Sequence, residues 1–171
     1  MTRPSKAGVR LTIGAGLLVL SPVAALGGIG AGMATLPAPT SPAVTVAVQV
    51  ALTQLGTPYQ WGGEAPSTGF DCSGLVQYAY RRAGLALPRT AQQQYDAGPH
   101  LPVTSPPQPG DLVFFGHSGR SVTHVGLALG EGRMVDAPHT GALVRVEPIA
   151  GFGHYLGATR PAASSDTGSA A

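Results

Sequence analysis

The sequence predicts an α+β domain, with helices in its first half and an antiparallel sheet in its second half. Up to Gly98, apolar residues recur at the three- and four-residue spacing of amphipathic helices. From Asp111 onward they form short apolar or alternating runs separated by Gly or Pro, which is typical of strands and turns. Because helices and strands do not alternate along the chain, we expect one sheet with the helices packed against it.

The first 34 residues have the three parts of an export signal: a basic stretch ending at Arg10, an apolar run to about Leu26, and small residues to Ala34. The uncharged run is also long enough for an anchor, since a bilayer crossing takes about 20 residues. A buried helix is the alternative, but no amphipathic side marks a protein contact. We predict a signal peptide or membrane anchor over residues 1–34, with any membrane attachment through residues 11–34, and a secreted or membrane-anchored, extracytoplasmic protein.

Residues 35–42 are rich in Pro and lack periodicity, which predicts an extended linker before a domain over residues 43–160. Small and polar residues predict a disordered tail over 161–171. From Ser41 onward there are seven Arg and eight Asp or Glu, so the formal charge is −1 and the pI near 9.0 reflects the basic N-terminus. Without a basic cluster, we expect no nucleic acid partner.

Three helices are predicted in the first half of the domain, each followed by Gly. They cover residues 44–55, residues 72–83, and a short polar segment from Thr90 toward Gly98. Thr90 and Gln93 have the spacing of a capping box at the start of the third helix. Between the first two helices, Thr-Pro-Tyr-Gln-Trp-Gly-Gly predicts a loop. Cys72 therefore lies in the first turn of the second helix.

Five short strands are predicted in the second half of the domain. They cover residues 112–115, 123–129, 133–137, 142–146 and 154–159. Gly or Pro turns separate them, as expected for antiparallel neighbours. We expect their sheet to pack against the helix that begins at Cys72.

Cys72 is the only cysteine, so an exported chain cannot use it for an internal disulfide. A buried thiol that acts as a small apolar side chain is the simplest interpretation. However, a helix N-terminus favours a thiolate, and its unpaired backbone N–H groups can also bind the oxyanion formed when a carbonyl is attacked. The position of Cys72 therefore favours a nucleophile.

A thiol nucleophile also needs a base and a group that orients the base. Among five His, His124 begins the apolar strand His-Val-Gly-Leu-Ala-Leu-Gly, so its side chain can project from the rigid edge of a sheet. Asp136 follows twelve residues later, and a turn at residues 130–132 would set it beside His124. On spacing alone, Asp136 is equally consistent with a core or surface residue.

Five motifs, in this order and at compact spacing, resemble those of the NlpC family of papain-like bacterial cell-wall peptidases. They are Gly-Thr-Pro-Tyr-Gln-Trp-Gly-Gly, Phe-Asp-Cys-Ser-Gly-Leu-Val, Leu-Pro-Arg-Thr-Ala-Gln-Gln-Gln, Pro-Gly-Asp-Leu-Val-Phe-Phe and His-Val-Gly-Leu-Ala-Leu-Gly. The resemblance covers about residues 45–160. It implies a papain-like core with the Cys on a helix and the His on the adjacent sheet. It also implies hydrolysis in the peptidoglycan stem peptide, commonly between D-γ-glutamyl and a diamino acid.

By position, the resemblance implies that Cys72 is the nucleophile, His124 the general base and then acid, and Asp136 the orienting residue. Many relatives have a His in the third position, so Asp136 departs from the common pattern. An anionic partner would favour the imidazolium, and therefore a thiolate–imidazolium pair, more strongly than a neutral one.

The resemblance also implies substrate-binding residues around the nucleophile. Tyr59 matches the family's aromatic residue, whose hydroxyl can contact the oxyanion or the substrate; packing beside Trp61 is the alternative. Asp71, Ser73 and Arg89 match positions that line the groove, although Asp71 is also well placed to be only a helix cap.

The predicted chemistry needs no cofactor and no metal. A metal site of Cys72, His124 and Asp136 is an alternative, but three mixed ligands without closely spaced pairs are a poor zinc signature. Two other functions stay open: a related papain-like amidase or acyltransferase on another amide, and a non-catalytic domain that binds wall peptides. We expect a monomer whose partner is the peptidoglycan stem peptide.

Overall fold

A computed structural model describes residues 41–161 of the chain. The export segment predicted over residues 1–34 lies outside the described residues, as do residues 35–40 of the predicted linker and 162–171 of the predicted tail. Pro161, the first residue of that predicted tail, is buried. In the described part of the chain, no helix is long and apolar enough to span a bilayer.

The described residues form three helices and seven strands, which confirms the α+β prediction. The helices are α1 (Pro42–Leu52), α2 (Cys72–Arg82) and α3 (Ala91–Ala97). The strands are β1 (Glu64–Ala65), β2 (Gly69–Phe70), β3 (Leu112–Ser118), β4 (Ser121–Gly130), β5 (Arg133–Asp136), β6 (Arg145–Pro148) and β7 (Tyr155–Thr159). β1 and β2 form a small hairpin, and the other five form an antiparallel sheet in the order β6-β5-β4-β3-β7.

The main core lies between α2 and the sheet. Leu75 and Val76 of α2 are fully buried in one cluster with Phe114 of β3 and Leu127 of β4. Because successive residues of a strand point to opposite faces, Val113 belongs instead to a second cluster on the other face of the sheet. Burying each large apolar side chain contributes about 1.5–3 kcal/mol. This packing fixes the start of α2 relative to the sheet.

Several predicted boundaries were wrong: β3 runs past its predicted end to Ser118, and two further errors share one cause. The first helix, α1, ends before Leu55, which is 47% exposed. Strand β6 starts later than predicted, at Arg145. The chain after α1 instead pairs with the chain before β6. The Gly56 N–H donates to the Val144 carbonyl over 2.9 Å, and the Val144 N–H donates to the Thr57 carbonyl over 2.8 Å.

The β1–β2 hairpin was not predicted, because strands of two residues are too short to show a periodicity. The hairpin follows Gly63, whose carbonyl accepts the Asp71 N–H over 3.0 Å. The same carbonyl lies against Gly74, where a Cβ atom would overlap it. Gly74 therefore permits a close approach of two backbones directly beside the start of α2.

Candidate active site

Cys72 is the first residue of α2, and this position follows from Asp71. The Asp71 backbone is extended, and its side-chain Oδ1 accepts the Gly74 N–H over 2.7 Å, which makes it the N-cap of the helix. Cys72 is a free, partly buried cysteine. Its sulfur is thus carried by a helix turn whose backbone N–H groups are available to a negative charge.

His124 lies in β4, opposite Phe115 of β3, and is 7% exposed. Its ring packs against Phe152, with centroids 4.6 Å apart and an interplanar angle of 30°, and against Phe115 at 6.0 Å. Nε2 lies 2.8 Å from Oδ2 of Asp136. The imidazole is therefore held by two aromatic rings and by one hydrogen bond that leaves Nδ1 for Cys72.

Asp136 ends β5 and is completely buried. The β4–β5 hairpin pairs Leu127 with Val135 across the turn, so Asp136 falls on the same face of the sheet as His124. Glu131 adopts a left-handed backbone with φ of 53° in that turn. The structure thus brings together the His and the Asp that the spacing suggested; their catalytic roles remain predictions.

The surroundings of His124 favour its charged form, whereas those of Asp136 raise its pKa overall. Burial lowers the pKa of His124, but hydrogen bonds with Asp136 and Cys72, together with their negative charges, raise it overall to about 9. Burial raises the pKa of Asp136, and His124 opposes that rise. Near neutral pH the imidazolium is therefore the favoured form of His124, as required for an ion pair with a thiolate.

A second polar network lies beside Cys72 and includes the other predicted groove residues. Arg89 donates from Nη1 to Asp71 Oδ1 over 3.0 Å and to Ser73 Oγ over 3.1 Å, and from Nη2 to Asp71 Oδ2 over 2.8 Å. Gly62 donates its N–H to Asp71 Oδ2 over 3.0 Å. The hydrogen bond with Asp71 raises the pKa of Arg89. Asp71 is thus a helix cap and also the centre of a network; its part in substrate binding stays a prediction.

Arg89→Lys is expected to lower the free energy of unfolding by about 1 kcal/mol, because Lys cannot make the forked contact with Asp71 and the site is partly exposed. Urea unfolding of both proteins measures the difference. The matched control is Arg133→Lys, since Arg133 is 56% exposed where it pairs with Glu131. An equal loss in both variants would contradict a specific contribution from the Arg89 network.

Tyr59 is partly buried, and it lies close enough to Cys72 for electrostatic interaction. Burial raises the pKa of its phenol, and the charges of Cys72 and Asp71 raise it further. The hydroxyl therefore remains a hydrogen-bond donor at neutral pH. Tyr59 packs against the main core cluster, whereas Trp61 is 82% exposed.

Sequence reasoning missed residues that contact the site from separate segments. Phe152 packs on His124, and Glu64 Oε2 lies 3.4 Å from Arg89 Nε. Neither has a local signal apart from the Gly residues on both sides of Phe152. Across residues 41–161, no group of three or more His, Cys, Asp or Glu is arranged to hold a metal ion.

A known protein family matches the part of the chain that carries this site. The sequence profile of the NlpC/P60 family matches residues 56–156, which include Cys72, His124 and Asp136. The chain belongs to the NlpC/P60 family. This is a family of papain-like cysteine peptidases, which confirms the resemblance inferred from the five motifs.

Individual NlpC/P60 proteins show how far the likeness extends. The chain is 41% identical over 124 residues to murein DD-endopeptidase MepH of Escherichia coli, covering 69% of this chain and 46% of MepH. It is 50% identical over 93 residues to the bifunctional muramidase/DL-endopeptidase CwlT of Bacillus subtilis, covering 53% of this chain and 28% of CwlT. It therefore spans less than half the length of each relative.

The solved structure of the peptidoglycan hydrolase RipB from Mycobacterium tuberculosis has the same fold. It superposes with a TM-score of 0.63 and 38% sequence identity, covering 71% of this chain and 65% of RipB. The helices packed on an antiparallel sheet are thus the NlpC/P60 fold, with Cys72 at the start of α2.

Proposed function

We propose that this protein is a peptidoglycan endopeptidase that cleaves a stem-peptide bond through an acyl-enzyme on Cys72. The observation that carries the proposal is the position of His124, which contacts Asp136 over 2.8 Å and also interacts with the thiol at the start of α2. Membership of the NlpC/P60 family supports it, as do the names of MepH, CwlT and RipB.

In the first half of the reaction, the Cys72 thiolate adds to the carbonyl carbon of the scissile bond, and backbone N–H groups at the start of α2 stabilise the oxyanion. The C–N bond then breaks as the His124 imidazolium gives its proton to the leaving amine. In the second half, neutral His124 takes a proton from water and the hydroxide adds to the thioester carbonyl. The C–S bond then breaks, which releases the acid product and restores the Cys72 thiolate beside the His124 imidazolium. Asp136 holds the ring in one tautomer and stabilises its charged form.

We also propose that Tyr59, Asp71, Ser73 and Arg89 bind the substrate. The Tyr59 hydroxyl is a donor near the nucleophile. The Asp71–Arg89 pair fixes the position of Ser73 next to it. These groups offer hydrogen-bond partners to the peptide on either side of the scissile carbonyl.

The bond that we propose joins D-γ-glutamyl to a diamino acid. It links a D centre to an L centre, which agrees with the DL-endopeptidase activity in the name of CwlT, the relative with 50% identity. MepH, with 41% identity, is named for a DD bond. The two names define the alternatives that an experiment must separate.

We propose that the enzyme acts as a monomer outside the cytoplasm. Residues 1–34 would export or anchor it, and the Pro-rich residues 35–42 would hold the domain over 43–160 away from the membrane. Its partner is then the peptidoglycan stem peptide.

The test is mass spectrometry of fragments released from peptidoglycan and from the tripeptide L-Ala-γ-D-Glu-diaminopimelate. We expect free diaminopimelate from the tripeptide, and no product with Cys72→Ala. Products cut only between two D centres of intact peptidoglycan would overturn the bond assignment and leave the endopeptidase standing. Folded enzyme that releases nothing from either substrate would overturn the proposed function.

A further inference from the structure

Two buried carboxyl oxygens next to the candidate site have no hydrogen-bond donor in the described structure. They are Oδ1 of Asp136 and Oε1 of Glu147. Asp136 is completely buried, and the Glu147 side chain is 19% exposed. A buried polar atom without a partner costs about 1–3 kcal/mol, and more when the group is charged. Two such oxygens from neighbouring strands need a common explanation.

The register of β5 and β6 places these two carboxyl groups together. Asp136 pairs with Arg145 and Met134 pairs with Glu147, so Asp136 and Glu147 are diagonal neighbours on one face of the sheet. The other oxygen of each carboxyl group is occupied. Oδ2 of Asp136 lies 2.8 Å from His124 Nε2, and Oε2 of Glu147 lies 3.1 Å from Arg145 Nη2.

Each of these neighbouring carboxyl groups therefore has one oxygen without a hydrogen-bond partner in the described structure. Burial raises the pKa of Asp136, and His124 opposes that rise. The charge of Glu147 and a hydrogen bond with Glu147 raise the pKa of Asp136 further. Two ionised carboxyl groups can only accept hydrogen bonds, so such a bond requires a proton between them. The groups facing Asp136 are His124 from β4 and Glu147 and Arg145 from β6; Cys72 acts through His124.

We propose that Asp136 and Glu147 share one proton between Oδ1 and Oε1, which makes Glu147 a positioning residue that holds Asp136 against His124. The pair then carries one negative charge between the cations His124 and Arg145. This inference rests on the proposed roles of His124 and Asp136 for its effect on catalysis, whereas the shared proton itself does not depend on them.

A shared proton has a consequence for the pH dependence of the site. Coupled carboxyl groups titrate in two separated steps, so the singly protonated pair persists over a wide pH range. Within that range the proton donates toward Asp136 and keeps its other oxygen ionised toward His124. Asp136 therefore loses its charge only when the pair takes up a second proton. In a variant without Glu147 it loses its charge with its first proton, which occurs at a higher pH than that second step.

Isotope-edited infrared spectroscopy of the full chain tests the proton directly and needs no catalytic activity. With labelled Asp and Glu at neutral pH, we expect a protonated carboxyl band in the wild type that is absent from Glu147→Gln and from Asp136→Asn. Glu131→Gln, which removes an exposed carboxyl group, should keep the band. A wild type without the band, or a band that survives Glu147→Gln, would overturn the shared proton even if the enzyme cleaves wall peptides.

The pH profile of kcat/KM tests whether Glu147 positions Asp136. In Glu147→Leu we expect the acid limb of the profile to move up by about one pH unit. At a fixed pH on that limb, kcat/KM is then about tenfold lower than in the wild type. Glu147→Gln should restore the limb, because its amide donates to Asp136 without titrating, and Glu131→Gln should leave it unchanged. An unchanged acid limb in folded Glu147→Leu, or a shifted limb that Glu147→Gln fails to restore, would overturn the positioning role. If Glu147→Leu does not fold, a shifted acid limb in Glu147→Gln would overturn that role.

Discussion

Cys72→Ala and His124→Ala are each expected to lower kcat/KM on a stem peptide by about 10⁴-fold or more. In the proposed mechanism the Cys72 thiolate and the His124 imidazolium form one ion pair, so removing either group removes the same chemistry. The double variant should therefore be no slower than the slower of the two single variants. Steady-state assays on the defined tripeptide, with product detected by mass spectrometry, measure all three rates.

The matched control for this cycle is His100→Ala. His100 is exposed and packs on Tyr95, with ring centroids 4.3 Å apart. Its replacement should leave kcat/KM within a factor of two or so, since exposed positions rarely change stability by more than about 0.5 kcal/mol. Losses that multiply in the Cys72 and His124 double variant would show that the two residues act independently, against the proposed ion pair.

Asp136→Asn is expected to lower kcat/KM by about 10²–10⁴-fold, because an amide cannot stabilise the imidazolium and can hold the ring in the wrong tautomer. The pKa of His124, which is about 9 with the carboxylate in place, should fall. NMR titration of the His124 ring in both proteins measures this change. A His124 pKa that stays near 9 in the variant would contradict Asp136 as its partner.

The same substitution should change how stability depends on pH. The pKa of His124 is raised from 6.5 to about 9 in the folded protein, so its contribution to stability is fully present below pH 6.5 and is lost as the pH rises through 9. In Asp136→Asn the decline of the free energy of unfolding between pH 6.5 and about 9 should be smaller. Denaturant unfolding across that range measures it, and equal slopes in the two proteins would argue against the linkage.

Sequence reasoning located Cys72 and the His124–Asp136 hairpin because both depend on local signals. A cap residue and a Gly-bounded amphipathic run fix a helix start, and a glycine turn between two apolar strands fixes a hairpin. The contact between His124 and Asp136 is therefore encoded in a short stretch of chain. The confirmed fold class has the same origin, since its strands are separated by Gly and Pro.

Contacts that depend on distant register were not predictable in this way. Glu147 lies beside Asp136 only because β6 pairs with β5 in one particular register. The connection between these strands leaves the sheet, and its Val144 pairs with Thr57. A shift of that register by one residue would turn Glu147 to the opposite face. Phe152 likewise reaches His124 from an irregular segment after β6.

The network of Asp71 sets a limit on how this site can be redesigned. One carboxylate joins the N-terminus of α2, the loop at Gly62 and the connection that carries Arg89. A change at any of these three segments is therefore transmitted to the helix that carries Cys72. Trp61 is the contrasting position, because its side chain is exposed although its neighbour Gly62 is bound. A substitution at Trp61 should therefore leave the sulfur in place, in contrast to one at Gly62 or Arg89.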